Sequence, residues 1–266
     1  MSTTGRPERR PALERVGAEG SSVSADVTVF AAGSLRSAVT DVAQAFERSS
    51  GHKVILTFGA SGLLRDRIRS GERADVFASA NMEHPQALAA LGWTERVDRF
   101  ARNTMCVLAR PEVEVTTDTV LRTMLDPKVR LGTSTPKADP SGDYAWQVFH
   151  KADVVQPGSF ATLSAKAMQL TGGPRSASPP SGRNVYGVLL ADDRADVFLT
   201  YCTNAELSRK EQSGLKSVKL PSTLEVGADY GMAVARDAQA PARDFARFVL
   251  GAEGQSRLQG YGFDAP

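Results

Sequence analysis

Ser61 lies in the stretch KVILTFGASGLLRDRI (Lys53 to Ile68), at the point where an apolar, β-branched run gives way to a helix-like pattern. A serine at such a junction can be a nucleophile, part of a phosphate-binding loop, a helix cap or a turn residue. The stretch VTVFAAGSLRSAV (Val27 to Val39) repeats the arrangement and places Ser34 at the equivalent point. This recurrence predicts that both serines begin helices at the ends of strands.

Helix starts of this kind are suited to binding an anion. The first backbone N–H groups of a helix have no intrahelical partner, and the macrodipole adds roughly half a positive charge there. Either serine alone could be a plain N-cap, which stabilises a helix by about 1 kcal/mol. Two of them at the carboxyl ends of adjacent strands, where open α/β sheets bind ligands, favour one shared anion site.

Nucleophilic catalysis is the less favoured interpretation of Ser61. The sequence has no Gly-x-Ser-x-Gly elbow, since the residues around Ser61 are GASGL. His52, His84 and His150 show neither an obvious strand-end position opposite Ser61 nor the short spacings of a zinc site. A Gly-x-x-x-x-Gly-Lys-Ser/Thr phosphate loop is also missing from the sequence. A serine hydrolase therefore remains only a minor alternative.

Two further segments carry candidate contacts. The segment STPKADPSGDYAWQVF (Ser134 to Phe149) places Ser141 at a third helix start, which a capped surface helix explains equally well. In GRNVYGVLLADDRADVFLTYCTNA (Gly182 to Ala205), Val185 opens a helix and Tyr201 ends a strand. A tyrosine at a strand end belongs to the core or the rim about as often as it contacts a ligand.

The elements that position these residues follow from six apolar runs, which are typical of buried strands of a parallel sheet. These runs are Val27 to Ala32, Val54 to Phe58, Val76 to Ala80, Met105 to Ala109, Val197 to Thr200 and Tyr230 to Ala235. Helical patterns lie between them; in Ser34 to Gly51, for example, apolar residues recur at spacings of three and four. Alternating strands and helices predict an α/β architecture.

A short internal repeat suggests two similarly built lobes. RADVFASA (Arg73 to Ala80) and RADVFLTY (Arg194 to Tyr201) share five consecutive residues in the same helix-to-strand setting. Coincidence is the alternative, because this pattern describes any turn that leads into a buried strand. The loop-rich tract from Leu170 to Asn184 is predicted to be an ordered or semi-ordered excursion of the second lobe.

Composition limits the class of partner. The 266 residues are 41% hydrophobic and 23% charged, and 32 basic against 30 acidic residues leave a net charge of +2 without a dense basic stripe. A small-molecule partner is therefore expected, and nucleic acid is not. The two cysteines, Cys106 and Cys202, are expected to be buried thiols, with a disulfide as the alternative. Residues 1–24 lack the apolar core of a secretory signal and are predicted to be a disordered leader.

The sequence from Asp26 to Phe263 resembles the molybdate-binding proteins of bacterial ABC uptake systems. The motifs that carry the resemblance are, in chain order, FAAGSL, FGASG, ADVFASA, DPSGDYA, NVYGVL, ADVFLTYCTNA and GAEGQSRLQGYGF. The resemblance implies an α/β, two-lobed type II periplasmic binding protein fold, in which each lobe is a mainly parallel sheet flanked by helices and the ligand lies in the cleft. Residues 25–104 and 231–266 would form lobe 1, and residues 105–230 would form lobe 2.

A ligand set and a function are also implied by the resemblance. Ser34 and Ser61 from the first lobe, with Ser141, Val185 and Tyr201 from the second, would hold molybdate or tungstate, the metal being contacted only through its oxygens. The chain would be a monomeric, cofactor-free substrate-binding protein, not an enzyme, which delivers the oxyanion to the membrane permease of an ABC importer. It would be periplasmic or extracytoplasmic. Neutral donors with little acceptor capacity would favour a fully deprotonated dianion over a protonated phosphate.

Three departures from the family pattern qualify these expectations. Pro140-Ser141-Gly142 stands where the family usually has Pro-Ala-Gly, so an added hydroxyl is expected near the ligand. After Tyr201 the chain has Cys-Thr-Asn where many relatives have a lysine and an aspartate. Backbone N–H contacts should survive both changes. The leader shows no signal peptide, which leaves a cytoplasmic oxyanion-sensing domain of the same fold as the alternative.

Overall fold

A computed structural model describes Met1, residues 26–177, Pro180 and residues 182–266. Apart from Met1, the leader predicted over residues 1–24 lies outside the described residues. So do three positions of the tract from Leu170 to Asn184, namely Ser178, Pro179 and Ser181.

The described residues form strands and helices that alternate along most of the chain. The strands are β1 (Val27–Ala32), β2 (Val54–Gly59), β3 (Val76–Ser79), β4 (Val97–Ala109), β5 (Leu131–Ser134), β6 (Met168–Thr171), β7 (Val197–Tyr201), β8 (Lys216–Lys219) and β9 (Gly227–Val234). The helices are α1 (Arg36–Ser50), α2 (Ser61–Arg69), α3 (Glu83–Ala90), α4 (Val120–Leu125), α5 (Pro140–Val155), α6 (Ser159–Lys166), α7 (Val185–Ala191), α8 (Cys202–Glu211), α9 (Ala240–Leu250) and α10 (Ala252–Gly260). A 3₁₀ turn, Gly33–Leu35, precedes α1.

The strands are ordered β2-β1-β3-β9-β4-β7-β5-β6, with β8 also paired to β4. We call β2, β1, β3, β9 and the first part of β4 the first strand group, and the rest of β4 with β7, β5, β6 and β8 the second strand group. Parallel pairs join β1 to β2 and β3, and β5 to β6 and β7. The prediction of an α/β fold is therefore confirmed.

Two of the runs predicted to be parallel strands are antiparallel, so the prediction is wrong for them. Met105 to Ala109 belongs to β4, and Tyr230 to Ala235 falls largely in β9; these strands pair antiparallel with each other and with their other neighbours. Both runs are almost entirely buried. A strand covered on both faces has a continuous apolar sequence whichever way its neighbours point, so the sequence pattern could not distinguish the two cases.

The repeated segment RADVF has the same structural role in both strand groups. Before β3, the Asp75 carboxylate accepts the backbone N–H of Thr28 at 2.8 Å, in the neighbouring parallel strand β1. Before β7, the Asp196 carboxylate accepts the backbone N–H of Arg130 at 2.7 Å, directly ahead of the neighbouring parallel strand β5. Each aspartate fixes the start of one parallel strand pair, so the two copies have the same local role.

Cys106 and Cys202 form a disulfide, so the expectation of two buried thiols is wrong. The register of β4 against β7 places Cys106 opposite Thr200, two residues before Cys202 at the start of α8. The two Cα atoms are consequently 4.8 Å apart, within the range that a disulfide spans. The cysteines are 96 positions apart in sequence, so their proximity depends on the strand pairing.

Candidate ligand-binding cleft

A cavity of about 420 Å³ lies between the two strand groups. Its lining includes Ala32 and Gly59, the last residues of β1 and β2, and Thr171 and Tyr201, the last residues of β6 and β7. The carboxyl ends of strands are where open α/β sheets bind ligands. The cavity is therefore the candidate site, and both groups contribute to its wall.

Ser34 lines this cavity from the 3₁₀ turn ahead of α1. Its hydroxyl lies 3.0 Å from the Tyr230 hydroxyl, which in turn accepts a bond from the Asn103 amide at 3.4 Å. Neither the 3₁₀ turn nor α1 has a side-chain capping bond at its start. The N-cap interpretation of Ser34 is therefore wrong, and its hydroxyl belongs to a polar cluster at the cavity wall.

Ser61 is fully buried and is the first residue of α2, whose N-cap is Ala60. The Ser61 hydroxyl accepts the backbone N–H of Ala80 at 3.1 Å and makes no capping bond. The N-cap interpretation is therefore wrong for Ser61 too. Its own proton meets no acceptor among the described residues and can be donated. Ala60, not Ser61, forms the adjoining stretch of cavity wall.

Tyr201 lines the cavity and places its hydroxyl 3.5 Å from the Ala80 carbonyl oxygen. Ala80 thus lies between Ser61, on its N–H side, and Tyr201, on its carbonyl side. The Tyr201 ring packs against Tyr230 with centroids 5.6 Å apart. Burial raises the pKa of Tyr201 well above its usual value, so the phenol stays protonated and remains a donor.

Val185 lines the cavity as the first residue of α7. Because it opens the helix, its backbone N–H has no intrahelical acceptor. The helix is capped by Asn184, whose side-chain oxygen accepts the Tyr186 N–H at 3.1 Å. The valine side chain packs against an apolar cluster, so the group that Val185 can offer a ligand is its backbone N–H.

Ser141 is fully buried behind the wall, at the second position of α5. Its backbone N–H donates to Asp139 at 3.2 Å, and Asp139 itself lines the cavity. The Ser141 hydroxyl is buried and makes no hydrogen bond of good geometry with a described residue, and the Tyr186 phenol is its polar neighbour. Of the five predicted contacts, Ser34, Val185 and Tyr201 thus line the cavity, whereas Ser61 and Ser141 lie directly behind it. Their roles as ligands remain predictions.

The walls of the cleft touch at Gly62, the second residue of α2. Its backbone N–H donates to the Ala138 carbonyl oxygen at 2.9 Å, which joins α2 to the loop before α5. A Cβ atom at this position would lie 2.5 Å from the Lys137 carbonyl oxygen and 2.7 Å from that of Ala138. Close approach of the two walls at this point therefore requires a glycine.

Sequence reasoning missed the charged residues of the cavity, Arg36, Asp139, Arg183 and Glu211. Arg183 and Glu211 pair with each other at 3.3 Å. Asp139 caps α5, accepts the Ser134 hydroxyl at 2.6 Å, and has its pKa raised by burial. An aspartate directly before a proline at a helix start is a recognisable N-cap signal. These two carboxylates give the wall acceptor capacity, contrary to the expectation of a site made almost entirely of donors.

The arrangement around Ser61 does not support nucleophilic catalysis. The neighbouring histidine, His84, has its Nδ1 3.1 Å from Nη1 of Arg65, and Ser61 has no histidine contact among the described residues. Burial, with the Arg65 charge, lowers the pKa of His84 to about 4. In the described part of the chain, no group of three or more His, Cys, Asp or Glu side chains could hold a metal ion. None of the described helices is long and apolar enough to cross a membrane.

A family model for bacterial extracellular solute-binding proteins matches residues 27–264. The chain belongs to this family. Among curated relatives, this solute-binding protein is 38% identical to the uncharacterized protein PM1146 of Pasteurella multocida, over 77% of this chain and 85% of that one. It is 28% identical to the molybdate-binding protein ModA of Azotobacter vinelandii, over 78% of this chain and 90% of the relative.

Solved structures confirm the fold of the solute-binding protein as that of type II periplasmic binding proteins. The periplasmic molybdate-binding protein of Azotobacter vinelandii superposes with a TM-score of 0.71 at 17% identity, covering 91% of this chain and all of that one. The sulfate-binding protein SubI of Mycobacterium tuberculosis gives 0.73 at 18% identity, covering 90% and 86%. Members of the family are extracellular solute-binding proteins, and the similar proteins with a stated ligand bind molybdate or sulfate.

Proposed function

We propose that this solute-binding protein captures a tetrahedral oxyanion, molybdate or tungstate, in the cleft and delivers it to the membrane permease of an ABC importer. The observation that carries the proposal is the grouping of neutral donors from both strand groups at one cavity. The Ser61 hydroxyl contacts the N–H of Ala80 and the Tyr201 hydroxyl contacts its carbonyl oxygen. Ser34 and Val185 line the cavity itself. Relatives named as molybdate-binding proteins support the choice of ion.

The proposed roles follow from the donors available. Ser34 and Ser61 would donate through hydroxyl groups, and Val185 through its backbone N–H. Tyr201 would donate by turning its proton away from the Ala80 carbonyl oxygen, a long contact of 3.5 Å. The Ser141 N–H is occupied by Asp139, so Ser141 would contribute its unpartnered hydroxyl instead. The metal atom would be contacted only through its oxygens, and no cofactor is involved.

The affinity expected from such donors is high. A hydrogen bond to a charged group contributes about 1.5–3 kcal/mol, so five contacts would give roughly 8–15 kcal/mol before costs. Bringing the cleft walls together and immobilising the ion reduce that gain. A net binding free energy of about −8 to −12 kcal/mol would correspond to micromolar to nanomolar dissociation constants.

Calorimetric titration with molybdate, tungstate, sulfate and phosphate tests the proposal. Molybdate and tungstate should bind at micromolar concentrations or below, and at a hundredfold excess over Kd should stabilise the folded protein by about 2.7 kcal/mol. If neither ion releases heat nor raises the melting temperature at millimolar concentration, the proposal fails.

We also propose that the protein acts outside the cytoplasm and as a monomer. The family match supports the location. Light scattering of the purified protein with and without ligand tests the oligomeric state, and a dimer under either condition would contradict it.

A further inference from the structure

The cavity is larger than an inorganic oxyanion requires. Molybdate consists of one metal atom and four oxygens, whereas about 420 Å³ falls within the range of roughly 300–1,000 Å³ typical of pockets for organic ligands. An inorganic ion at Ser34 and Tyr201 would leave most of this volume to water.

Arg36 is an unpaired cation in the cavity wall. Its guanidinium carbon lies 4.5 Å from the centroid of the Phe58 ring, and both side chains line the cavity. Arg36 is an exposed residue, and its guanidinium forms no ion pair or hydrogen bond with any described residue. The other arginine in the lining, Arg183, is paired with Glu211. A guanidinium placed over an aromatic ring keeps its N–H groups available to a planar carboxylate.

The acidic residues in the wall provide acceptors that an inorganic dianion does not use. Each carboxylate oxygen of Asp139 accepts one bond, from Ser134 and from the Ser141 N–H, and each retains further acceptor capacity. Asp139 lines the cavity; the residue as a whole is half-buried, and burial of its carboxylate raises the pKa. A ligand hydroxyl is the group that would complement this carboxylate.

We propose that the cleft also takes an organic oxyanion, whose phosphonate or phosphate-ester head occupies the anion site and whose body fills the cavity and ends in a carboxylate paired with Arg36. This inference rests on the proposed anion site. Molybdate and tungstate occupy the head position alone. The organic ligand adds one charge-assisted contact and displaces water from the rest of the cavity.

Calorimetry with matched phosphonates tests the pairing. Phosphonoacetate, 3-phosphonopropionate and 4-phosphonobutyrate scan the distance to Arg36, and ethylphosphonate, propylphosphonate and butylphosphonate are alkyl counterparts lacking the carboxylate. At the best length the carboxylate should tighten binding about tenfold or more, as expected for a hydrogen bond to a charged group.

Two variants locate the effect. Arg36→Gln should abolish the preference for the carboxylate, and Arg36→Lys should restore part of it. The readout is the ratio of carboxylate to alkyl phosphonate affinity, because loss of a positive charge from the cavity weakens every anion in both series. Arg48→Gln is the matched control, because Arg48 lies exposed near the end of the same helix and outside the cavity lining. It removes the same charge and should leave the preference intact.

The outcomes separate this inference from the proposed function. If molybdate binds and every phosphonocarboxylate fails, the inference is wrong and the oxyanion proposal stands. If phosphonocarboxylates bind and molybdate and tungstate do not, the inference about an organic ligand stands and the proposal that the protein captures molybdate or tungstate is wrong. Equal affinity for carboxylate and alkyl phosphonates, or a preference that persists in Arg36→Gln, would overturn the role of Arg36.

Discussion

The hydroxyl of Ser61 accepts a backbone N–H on one side and keeps its proton for a second partner on the other. A Ser61→Ala substitution therefore leaves the buried Ala80 N–H without an acceptor, which should lower the free energy of unfolding by about 1–3 kcal/mol. The same change should weaken oxyanion binding about tenfold or more. Urea unfolding and calorimetry measure the two effects.

Ser70→Ala is the control for this prediction. Ser70 follows the same helix, and its exposed hydroxyl donates to the Asp66 carbonyl oxygen. The control should leave the affinity unchanged and alter stability by less than about 0.5 kcal/mol. Unaltered binding in Ser61→Ala would show that the Ser61 hydroxyl serves the fold and not the ligand.

The buried carboxylate of Asp139 should make stability depend on pH. Burial raises its pKa, so the folded protein holds this proton more tightly than the unfolded chain, where the pKa is about 3.9. The contribution of Asp139 to stability therefore falls as the pH rises above about 4, and levels off above the folded pKa. Asp139→Asn keeps a capping side chain and does not titrate.

Urea unfolding between pH 4 and pH 8 should show Asp139→Asn gaining stability relative to the native sequence as the pH rises. Asp126→Asn is a control, because the Asp126 carboxylate is a surface group that accepts the Lys128 N–H. If the free energies of unfolding of Asp139→Asn and the native sequence differ by the same amount at every pH, the pKa of Asp139 is not raised in the folded protein.

At the scale of elements, the contact of α2 with the loop before α5 controls how closely the walls approach. A Gly62→Ala substitution places a methyl group within 2.7 Å of two carbonyl oxygens and should separate the walls. Ligand affinity should fall about tenfold or more, while the helix itself gains from alanine. Calorimetry and small-angle scattering with saturating ligand measure the affinity and the separation.

The matched control is Gly260→Ala, at the end of α10, where an added Cβ would meet no atom within 4 Å. This variant should bind ligand with native affinity. Native affinity in Gly62→Ala as well would mean that the walls need not meet at Gly62 for the ligand to bind.

The disulfide between β4 and α8 should contribute to stability through the loop it closes. With a sequence separation of 96 residues, loop-closure entropy gives an upper estimate of about 4.7 kcal/mol, and a loss of about 2–5 kcal/mol is expected on its removal. Urea unfolding with and without reductant measures this. The Cys106→Ala, Cys202→Ala double variant should have the same lowered stability with and without reductant. If reductant also lowers the stability of this variant, the effect of reductant does not come from the disulfide.

Over the whole molecule, the sequence predicted most of the elements because buried strands and amphipathic helices leave periodic patterns. The runs at Val27 and Val197, for example, begin β1 and β7 as expected. The pairing direction of β4 and β9 was not predictable, since full burial removes the alternation of apolar and polar residues that is typical of antiparallel strands. The proximity of Cys106 and Cys202 could not be predicted either, because it depends on the register between β4 and β7.

The candidate site was predicted where local sequence determines position. Ser34, Val185 and Tyr201 sit at the ends of elements, and the structure places them on the cavity wall. Arg36 was missed because its contact with Phe58 joins separate elements, which the sequence alone does not show. Asp139 was not predicted because an aspartate before a proline indicates a helix cap, and only the fold brings this cap to the cavity wall.

The disulfide has a kinetic consequence that follows from its location. Cys106 lies in the part of β4 that pairs with β7, and Cys202 begins α8 directly after β7, so both belong to the second strand group. The covalent link therefore bridges no part of the cleft. Rates of ligand entry and release should be the same in oxidising and reducing surroundings, even though the lifetime of the folded chain should differ between them.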